Sequence, residues 1–302
     1  MPSKKKEMPY SWEFVVEANH QGTIEDLDLA LLAAFEESEE AYNICVTSAR
    51  ANAAVKKRAD RMQYLLDEGH IDINKIGAAS IASATLEPSP KDLAALLVSR
   101  GWDIDQRQPI HGTYNFPANT DSNKKLVQLS CRDEEMVRWC LDHGAVVDET
   151  DETLLADVAS FGSPDTFKLL HEHGAPISES TLNNAAWRAR PEMVTFLIDE
   201  IGLDINKVYK GRHEPMLRNQ TPVCSAAISP FRDAGNVIEI LLERGADPYH
   251  KDCNAFSMAE SDLTIGVLRD WERKQKDKDQ EGPIIKKQKT GKANSTVCKK
   301  SG

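Results

Sequence analysis

A pair of large apolar residues, followed three or four positions later by glycine, recurs six times along the chain. The second residues of these pairs stand at positions 66, 97, 141, 170, 198 and 242, so the intervals are 31, 44, 29, 28 and 44 residues. Three intervals lie near 30, and the two long ones accommodate insertions of about a dozen residues. A recurrent spacing of this size predicts a structure built from stacked, similar units.

Each unit predicts two helices, the second of which carries the apolar pair and ends at the glycine. Glycine suits this position because a residue that follows a helix often adopts a left-handed conformation, which costs glycine nothing. The first helix begins most clearly at Thr221-Pro222, since threonine is a good N-cap and proline fits the first helical turn. Ala226 and Ala227 then allow a neighbouring helix to approach closely.

The two ends of the array predict more polar capping units. Residues 11–37 indicate a helix, a turn at Gly22 and a second helix that ends at Glu36-Glu37. Residues 254–271 indicate a last pair, from Ala255 to Ser261 and from Leu263 to Trp271.

The unit at residues 221–247 resembles a known family most clearly. Thr221-Pro222-Val223-Cys224-Ser225-Ala226-Ala227, followed by Leu241-Leu242-Glu243-Arg244-Gly245-Ala246-Asp247, resembles the ankyrin pattern T-P-L-H-x-A-A and L-L-x-x-G-A-D. Cys224 replaces the usual histidine, so the usual Thr–His hydrogen bond is lost in this unit. The other units are more degenerate, in a style that resembles ankyrin proteins of filamentous fungi.

The resemblance covers about residues 10–271 and implies an all-α ankyrin-repeat solenoid of about seven to eight helix pairs. We expect a disordered N-terminus at 1–9, an array at 10–272 and a disordered Lys-rich tail at 273–302. Within the array, the capping unit occupies about 11–37, the repeats about 40–250 and the C-terminal cap about 254–271.

Both insertions fall between the Asp-Ile-Asp or Asp-Ile-Asn segment of one unit and the first helix of the next, at 106–123 and 207–220. Ankyrin folds imply a concave binding surface built from these turns and the first helices. Aromatic, basic and histidine side chains of the insertions are therefore candidate partner contacts: His111, Tyr114, Phe116, Tyr209, Lys210, Arg212 and His213. The alternative is that both are tolerated surface loops, because long insertions cost little. The basic residues 207, 210, 212 and 218 have only Glu214 as a nearby acid in sequence.

The distribution of charge along the chain indicates which kind of partner the chain is suited to bind. The net charge is −11, but residues 272–302 carry +6 and residues 1–271 carry −17. An acidic body is poorly suited to direct nucleic-acid binding and better suited to a basic partner or tail. Six scattered cysteines favour reduced thiols in an intracellular protein. No secretory signal or membrane-spanning apolar run is present in the sequence.

The sequence offers little for catalysis, cofactors or metals. It contains no G-x-S-x-G, phosphate-loop, G-x-G-x-x-G or HExxH motif. His171-Glu172-His173 and His143 lack further ligands at usable spacing, so we expect no metal site. We expect no catalytic residues and no cofactor.

The tail contains two basic clusters separated by eleven residues, which look like a bipartite nuclear-localisation signal. Their members are Arg273, Lys274, Lys286, Lys287 and Lys289. A basic tail that only aids solubility is the rival interpretation.

The sequence therefore favours a non-enzymatic protein–protein interaction module that acts in the nucleus, the cytoplasm or both. As a specific role we expect a transcriptional co-regulator, whose partners are a transcription factor and, through the tail, an import carrier. One alternative is a cytosolic scaffold of a larger complex. Another is a small-ligand binder or enzyme that uses 106–123 and 207–220 as a lid, which a deep pocket beneath either insertion would favour.

Overall fold

A computed structural model describes residues 8–82, 90–106, 124–212 and 214–280, and this part of the chain is all-helical, as the sequence predicts. Short 3-10 turns occur at Ile73–Lys75 and Pro215–Leu217. The α-helices are α1 Ser11–His20, α2 Ile24–Glu37, α3 Glu39–Val55, α4 Ala59–Asp67, α5 Ala78–Ala82, α6 Lys91–Ser99, α7 Leu126–Leu129, α8 Glu134–Asp142, α9 Leu154–Phe161, α10 Pro164–Glu172, α11 Thr181–Trp187, α12 Pro191–Asp199, α13 Pro222–Ala227, α14 Ala234–Glu243, α15 Ala255–Met258 and α16 Asp262–Gln280.

The helix pair predicted for residues 11–37 is confirmed by α1 and α2. The second of these helices begins at a capping box: the Asp26 N–H donates to Thr23 Oγ1 at 3.1 Å, and the Thr23 N–H donates to Asp26 Oδ2 at 2.7 Å. Such reciprocal bonds satisfy backbone donors that a helix start would otherwise leave without partners.

From α3 onward the helices form two rows. Along the first-helix row, α3 contacts α5, α5 contacts α7, α9 contacts α11, and α13 contacts both α11 and α15. Along the second-helix row, α4 contacts α6, and α8, α10, α12, α14 and α16 contact one another in that order. Each unit therefore buries its apolar sides against the next unit instead of around a central point.

Glycine ends the second helices as predicted. Gly69, Gly101, Gly144, Gly174, Gly202 and Gly245 all have φ between 70° and 97°. This left-handed region is where glycine has no steric penalty. The φ values confirm that the six apolar-pair motifs mark six equivalent helix ends.

The stacking produces one long core. Buried apolar residues from Ala53 to Leu268 form a continuous cluster, in which Phe167, Met62 and Leu126 are fully buried. A second cluster joins α1 to α4, with Leu27, Leu31 and Leu65 at its centre. Alanine is frequent where the first helices pack most closely, as at the buried pairs Ala185-Ala186 of α11 and Ala226-Ala227 of α13.

The start predicted for the disordered tail is wrong, because α16 continues past Trp271 to Gln280. Arg273 and Lys274 are therefore helical. The segment is composed of good helix formers, and ion pairs Arg273–Asp270 at 3.2 Å and Lys276–Glu272 at 3.2 Å lie along its surface. Residues 1–7 and 281–302 lie outside the described residues, so the expectations for them stay predictions.

Candidate partner-binding surface

The second insertion is an ordered part of the stack. The Tyr209 N–H donates to the Gln220 carbonyl oxygen at 3.0 Å, and the Asn219 N–H donates to the Tyr209 carbonyl oxygen at 2.7 Å. Between these paired ends, the 3-10 turn places Leu217 in a fully buried position. The described part of the insertion therefore has a defined conformation held by its own backbone.

A buried polar network fastens this insertion to the first-helix row. Asn183 Nδ2 on α11 donates to the Gln220 carbonyl oxygen at 3.0 Å and to Ser225 Oγ on α13 at 2.9 Å. Ser225 Oγ in turn donates to Gln220 Oε1 at 3.0 Å. Because these polar groups are buried, each bond replaces one that water would otherwise supply.

Tyr209 was predicted to contact a partner, but the residue is only 3% exposed and borders the cavity beneath the insertion. Its ring packs over Gly211, where a Cβ atom would lie 2.5 Å from it, and its hydroxyl accepts the Glu214 N–H at 3.2 Å. The aromatic side chain thus supports the insertion from inside, which composition alone cannot distinguish from an exposed contact. Lys210 and Arg212 are exposed, as a contact role requires. The other predicted contacts, His111, Tyr114, Phe116 and His213, lie outside the described residues.

The basic residues of the insertion have a closer acidic neighbour than the sequence indicated. Lys207 Nζ lies 3.0 Å from Glu179 Oε1, and both side chains are about half exposed. An exposed pair of this kind contributes little to stability. Its effect is to bring the start of the insertion next to the segment that precedes α11.

A cavity of about 340 Å³ lies beneath the insertion. It is lined by Thr153, Ala156 and Asp157 at the start of α9, by residues 178–180, and by Tyr209 and Gly211 of the insertion. Four carboxylates line it: Glu152, Asp157, Glu179 and Glu214. Asp157 is paired with Lys124 at 2.6 Å and Glu179 with Lys207 at 3.0 Å, so the acidic charge is partly balanced. The cavity suits a positively charged group better than an apolar ligand.

At the other end of the same helices, aromatic and arginine side chains form what we term the arginine–aromatic ladder: Arg132, Phe161, Trp187, Arg188 and Phe231. The guanidinium carbons of Arg132 and Arg188 lie 4.3 and 4.4 Å from the centroid of the Phe161 ring. Arg188 also lies 4.5 Å from the Trp187 ring and 5.6 Å from the Phe231 ring. The Trp187 and Phe231 rings meet edge to face, with centroids 5.7 Å apart. Cation–π contacts of this kind hold both guanidinium groups in place.

The two arginines of the ladder have unused hydrogen-bonding capacity. Within the described residues, neither guanidinium forms an ion pair, and Arg188 Nε is buried without a hydrogen-bond acceptor. Burial, followed by the like charge of Arg132, lowers the pKa of Arg188, although Glu214 and Asp157 oppose the shift. The neighbouring Arg190 differs, because its Nη2 donates to the Gly162 carbonyl oxygen at 2.7 Å.

Sequence reasoning did not identify the ladder, although its spacing follows the repeat. Positions 132, 161, 188 and 231 are separated by 29, 27 and 43 residues, close to the 29, 28 and 44 that separate the corresponding apolar pairs. Each residue lies at or just after the end of a first helix. Comparing equivalent positions across the units would have drawn attention to these side chains.

The histidines considered as metal ligands are bonded to their own helix ends. His171 Nδ1 lies 3.0 Å from the Ala175 carbonyl oxygen and His173 Nδ1 lies 2.8 Å from the Leu169 carbonyl oxygen. His143 Nδ1 lies 2.8 Å from the Trp139 carbonyl oxygen, and its ring stacks on the Trp139 ring. In the described ranges, no group of three or more His, Cys, Asp and Glu side chains is arranged to hold a metal ion.

No known protein-family model matches this chain, and no curated protein sequence matches it. The described helices include none that is both long and apolar enough to cross a bilayer.

Proposed function

We propose that the chain is an ankyrin-repeat protein whose first-helix row binds a segment of another protein without catalysing a reaction. The repeat spacing, the six left-handed glycines and the two helix rows support the ankyrin assignment. The observation that carries the binding role is that the first-helix row bears the acidic cavity at one end of its helices and the arginine–aromatic ladder, with Arg132 and Phe231 exposed, at the other. Arginine, tryptophan and phenylalanine are enriched at protein interfaces.

A non-enzymatic role is favoured by the hydroxyl groups of the cavity. Ser178 Oγ lies 3.0 Å from Ser180 Oγ and 3.1 Å from Thr181 Oγ1, so these hydroxyls bond to one another. A catalytic serine would need a general base within hydrogen-bond distance. This arrangement favours a surface that recognises a basic side chain of a partner.

The cavity also favours a second candidate function, the binding of a small cationic molecule. A volume of about 340 Å³ falls within the range of small-ligand sites. Most such sites are lined mainly by apolar side chains, whereas this one is lined largely by carboxylates and hydroxyls. We therefore rank a protein partner first.

We further propose that the protein works in the nucleus as a transcriptional co-regulator, with a transcription factor as partner and an import carrier bound to the basic tail. The support is the pair of basic clusters, Arg273-Lys274 and Lys286-Lys287-Gln288-Lys289. A cytosolic scaffold is the alternative role for the same binding surface, and the two differ in where the partner is found.

The binding surface can be tested by site-specific photo-crosslinking in the native cells. A benzophenone amino acid replaces Phe231, a ladder residue that is 39% exposed. In a matched control it replaces Glu239, an exposed residue of α14 in the second-helix row. We expect one defined protein adduct from position 231 and none from position 239, with the adducts identified by mass spectrometry. Equal labelling at both positions, or none at 231, would refute the proposed surface.

A companion comparison tests the role of the tail. The full chain and a chain that ends at Gln280, which keeps α16 intact, are each purified with their bound proteins. We expect transcription factors with both chains and import carriers only with the full chain. Recovery of cytosolic complexes alone would favour the scaffold.

A further inference from the structure

The arginine–aromatic ladder contains a concentration of positive charge without a matching acceptor. Arg132 and Arg188 each lie within 4.4 Å of one ring centroid, so their charges are separated by no more than about twice that distance. Each guanidinium carries five N–H donors. Within the described residues neither forms an ion pair, and Arg188 Nε is buried without an acceptor.

The rings hold the guanidinium planes, and the donors open to a partner are those of exposed Arg132 and the terminal nitrogens of half-buried Arg188, since Arg188 Nε is itself buried. The guanidinium carbon of Arg188 lies over the ring faces of Phe161 and Trp187. The flat face of a guanidinium is the part that water solvates weakly. Arg132 is exposed, and Phe161, Trp187 and Arg188 are half-buried. The side chains are thus preorganised before any partner arrives, which lowers the entropic cost of binding.

We propose, resting on the protein-binding function above, that Arg132 and Arg188 hold a phosphorylated side chain of the partner protein. A phosphate ester carries close to two negative charges and three acceptor oxygens at neutral pH, which matches two guanidinium groups that contact the same ring. A single carboxylate offers two oxygens and one charge, enough for one bidentate arginine only.

The charge of the rest of the molecule selects among phosphate-bearing partners. Residues 1–271 carry a net charge of −17, and Glu214 and Asp157 lie near enough to Arg188 to oppose, without reversing, the lowering of its pKa by burial and by Arg132. A nucleic acid would bring many phosphates against this acidic body and be repelled. A peptide brings one compact dianion to the ladder and can place a basic side chain in the acidic cavity nearby.

The test uses degenerate, fluorescein-labelled peptide libraries whose fixed central residue is phosphoserine, phosphothreonine, phosphotyrosine, serine or glutamate. Binding to the full chain is followed by fluorescence anisotropy. We expect at least one phosphorylated library to bind roughly tenfold or more tightly than the serine and glutamate libraries, since charge-assisted hydrogen bonds distinguish them. Equal binding of the glutamate and phosphorylated libraries, or no preference for phosphate, would overturn the proposal.

Variants locate the phosphate site. Arg132→Gln removes an exposed charge, and Arg188→Lys keeps the charge but loses the planar fork, so each should weaken phosphopeptide binding roughly tenfold. Arg138→Gln on α8 is the matched control, because it removes an exposed arginine of the second-helix row whose partner is Glu134. Thermal unfolding of each variant shows whether the fold is kept. Unchanged phosphopeptide binding by Arg132→Gln, or an equal loss with Arg138→Gln, contradicts the assignment.

Failure of this inference can be distinguished from failure of the proposed function. The crosslinking experiment at position 231 is repeated with cell extract treated with phosphatase. Loss of the adduct supports a phosphorylated partner. An adduct that persists leaves the protein-binding function intact and rejects the phosphate site.

Discussion

Asn183 and Gln220 join the second insertion to the repeat stack, because Asn183 Nδ2 donates to the Gln220 carbonyl oxygen at 3.0 Å. Asn183 is 1% exposed, so the bond lies inside the protein. The insertion that lines the acidic cavity is therefore anchored to α11, which ends at Trp187 of the arginine–aromatic ladder.

We predict that Asn183→Ala lowers the free energy of unfolding by about 1–3 kcal/mol, because it removes two buried hydrogen bonds, one to the Gln220 carbonyl oxygen and one to Ser225 Oγ. Urea unfolding measures the loss. Hydrogen exchange at the Tyr209 and Asn219 amides, which pair across the insertion, should accelerate more than exchange in α10. Asn236→Ala, at an exposed position of α14, is the control and should change stability little. A variant as stable as the native chain would mean that the network is not structural.

A second prediction concerns His70, which lies between two tyrosines. Tyr42 Oη is 2.6 Å from His70 Nδ1, and Tyr64 Oη is 3.1 Å from Nε2 and 2.6 Å from Asp28 Oδ1. Burial lowers the pKa of His70 below its ordinary value of 6.5, against the opposing charges of Asp28 and Glu68. The unfolded chain therefore binds the proton more tightly than the folded one.

The stability contributed by neutral His70 is therefore fully present above pH 6.5, the ordinary pKa of histidine. It is lost as the pH falls through the lower pKa that His70 has in the folded chain. Urea midpoints at pH 7.5 and 5.5 should differ more for the native chain than for His70→Gln, which cannot titrate. His173→Gln serves as the comparison, since that ring bonds to its own helix end. An identical pH response in the native chain and His70→Gln would reject the prediction.

Among the five cysteines of the described residues, Cys253 is the thiol we expect to react first. The thiol of Cys224 and both the N–H and hydroxyl of Thr221 hydrogen-bond to it, which lowers the pKa of Cys253. Burial instead raises the pKa of Cys131 to about 11 and of Cys140 to about 12. Reactivity follows the thiolate fraction and exposure, and Cys253 is half-buried whereas the other two are buried.

Peptide mapping after brief iodoacetamide treatment at pH 7 should therefore find Cys253 alkylated before Cys45, Cys131, Cys140 and Cys224. Cys224→Ser should alter the alkylation rate of Cys253 because it replaces the neighbouring donor, while Cys131→Ser should leave the rate unchanged. Alkylation of Cys131 or Cys140 as fast as that of Cys253 would show that the hydrogen bonds do not stabilise the thiolate.

The helical stack was predictable because its signals are local. A glycine such as Gly69 ends a helix through its own backbone conformation, and the apolar pair before it is read from neighbouring positions. The continuation of α16 to Gln280 was missed because the segment is rich in charged residues, which suggested disorder. The i,i+4 pair Glu272–Lys276 shows how the same charges support a helix.

The binding surface was less predictable because its contacts join residues far apart in sequence. Arg132 and Arg188 meet at Phe161 only after three units have stacked, and no local pattern encodes that meeting. The burial of Tyr209 was missed for a related reason. An aromatic residue in an insertion looks exposed until the chain returns at Gln220 and encloses it.

The last prediction concerns the two basic clusters at the C-terminal end. Arg273 and Lys274 belong to α16, which continues roughly two turns beyond them to Gln280. They can be read together with residues 286–289 as one extended segment only if those turns unwind. We therefore predict that Lys286→Ala, Lys287→Ala and Lys289→Ala together abolish nuclear accumulation of the chain fused to a reporter too large for passive entry, whereas Arg273→Ala with Lys274→Ala leaves most of it.

Quantitative imaging measures the nuclear fraction of each reporter fusion and compares the variants. Lys299→Ala with Lys300→Ala is the control, because it removes two charges from the same tail outside both clusters. An equal loss from the Arg273 and Lys274 variant would mean that both clusters act as one bipartite signal and that the end of α16 unwinds on the carrier. A nuclear fraction unchanged by every variant would remove the support for import through the tail, and the same binding surface would then serve a cytosolic scaffold.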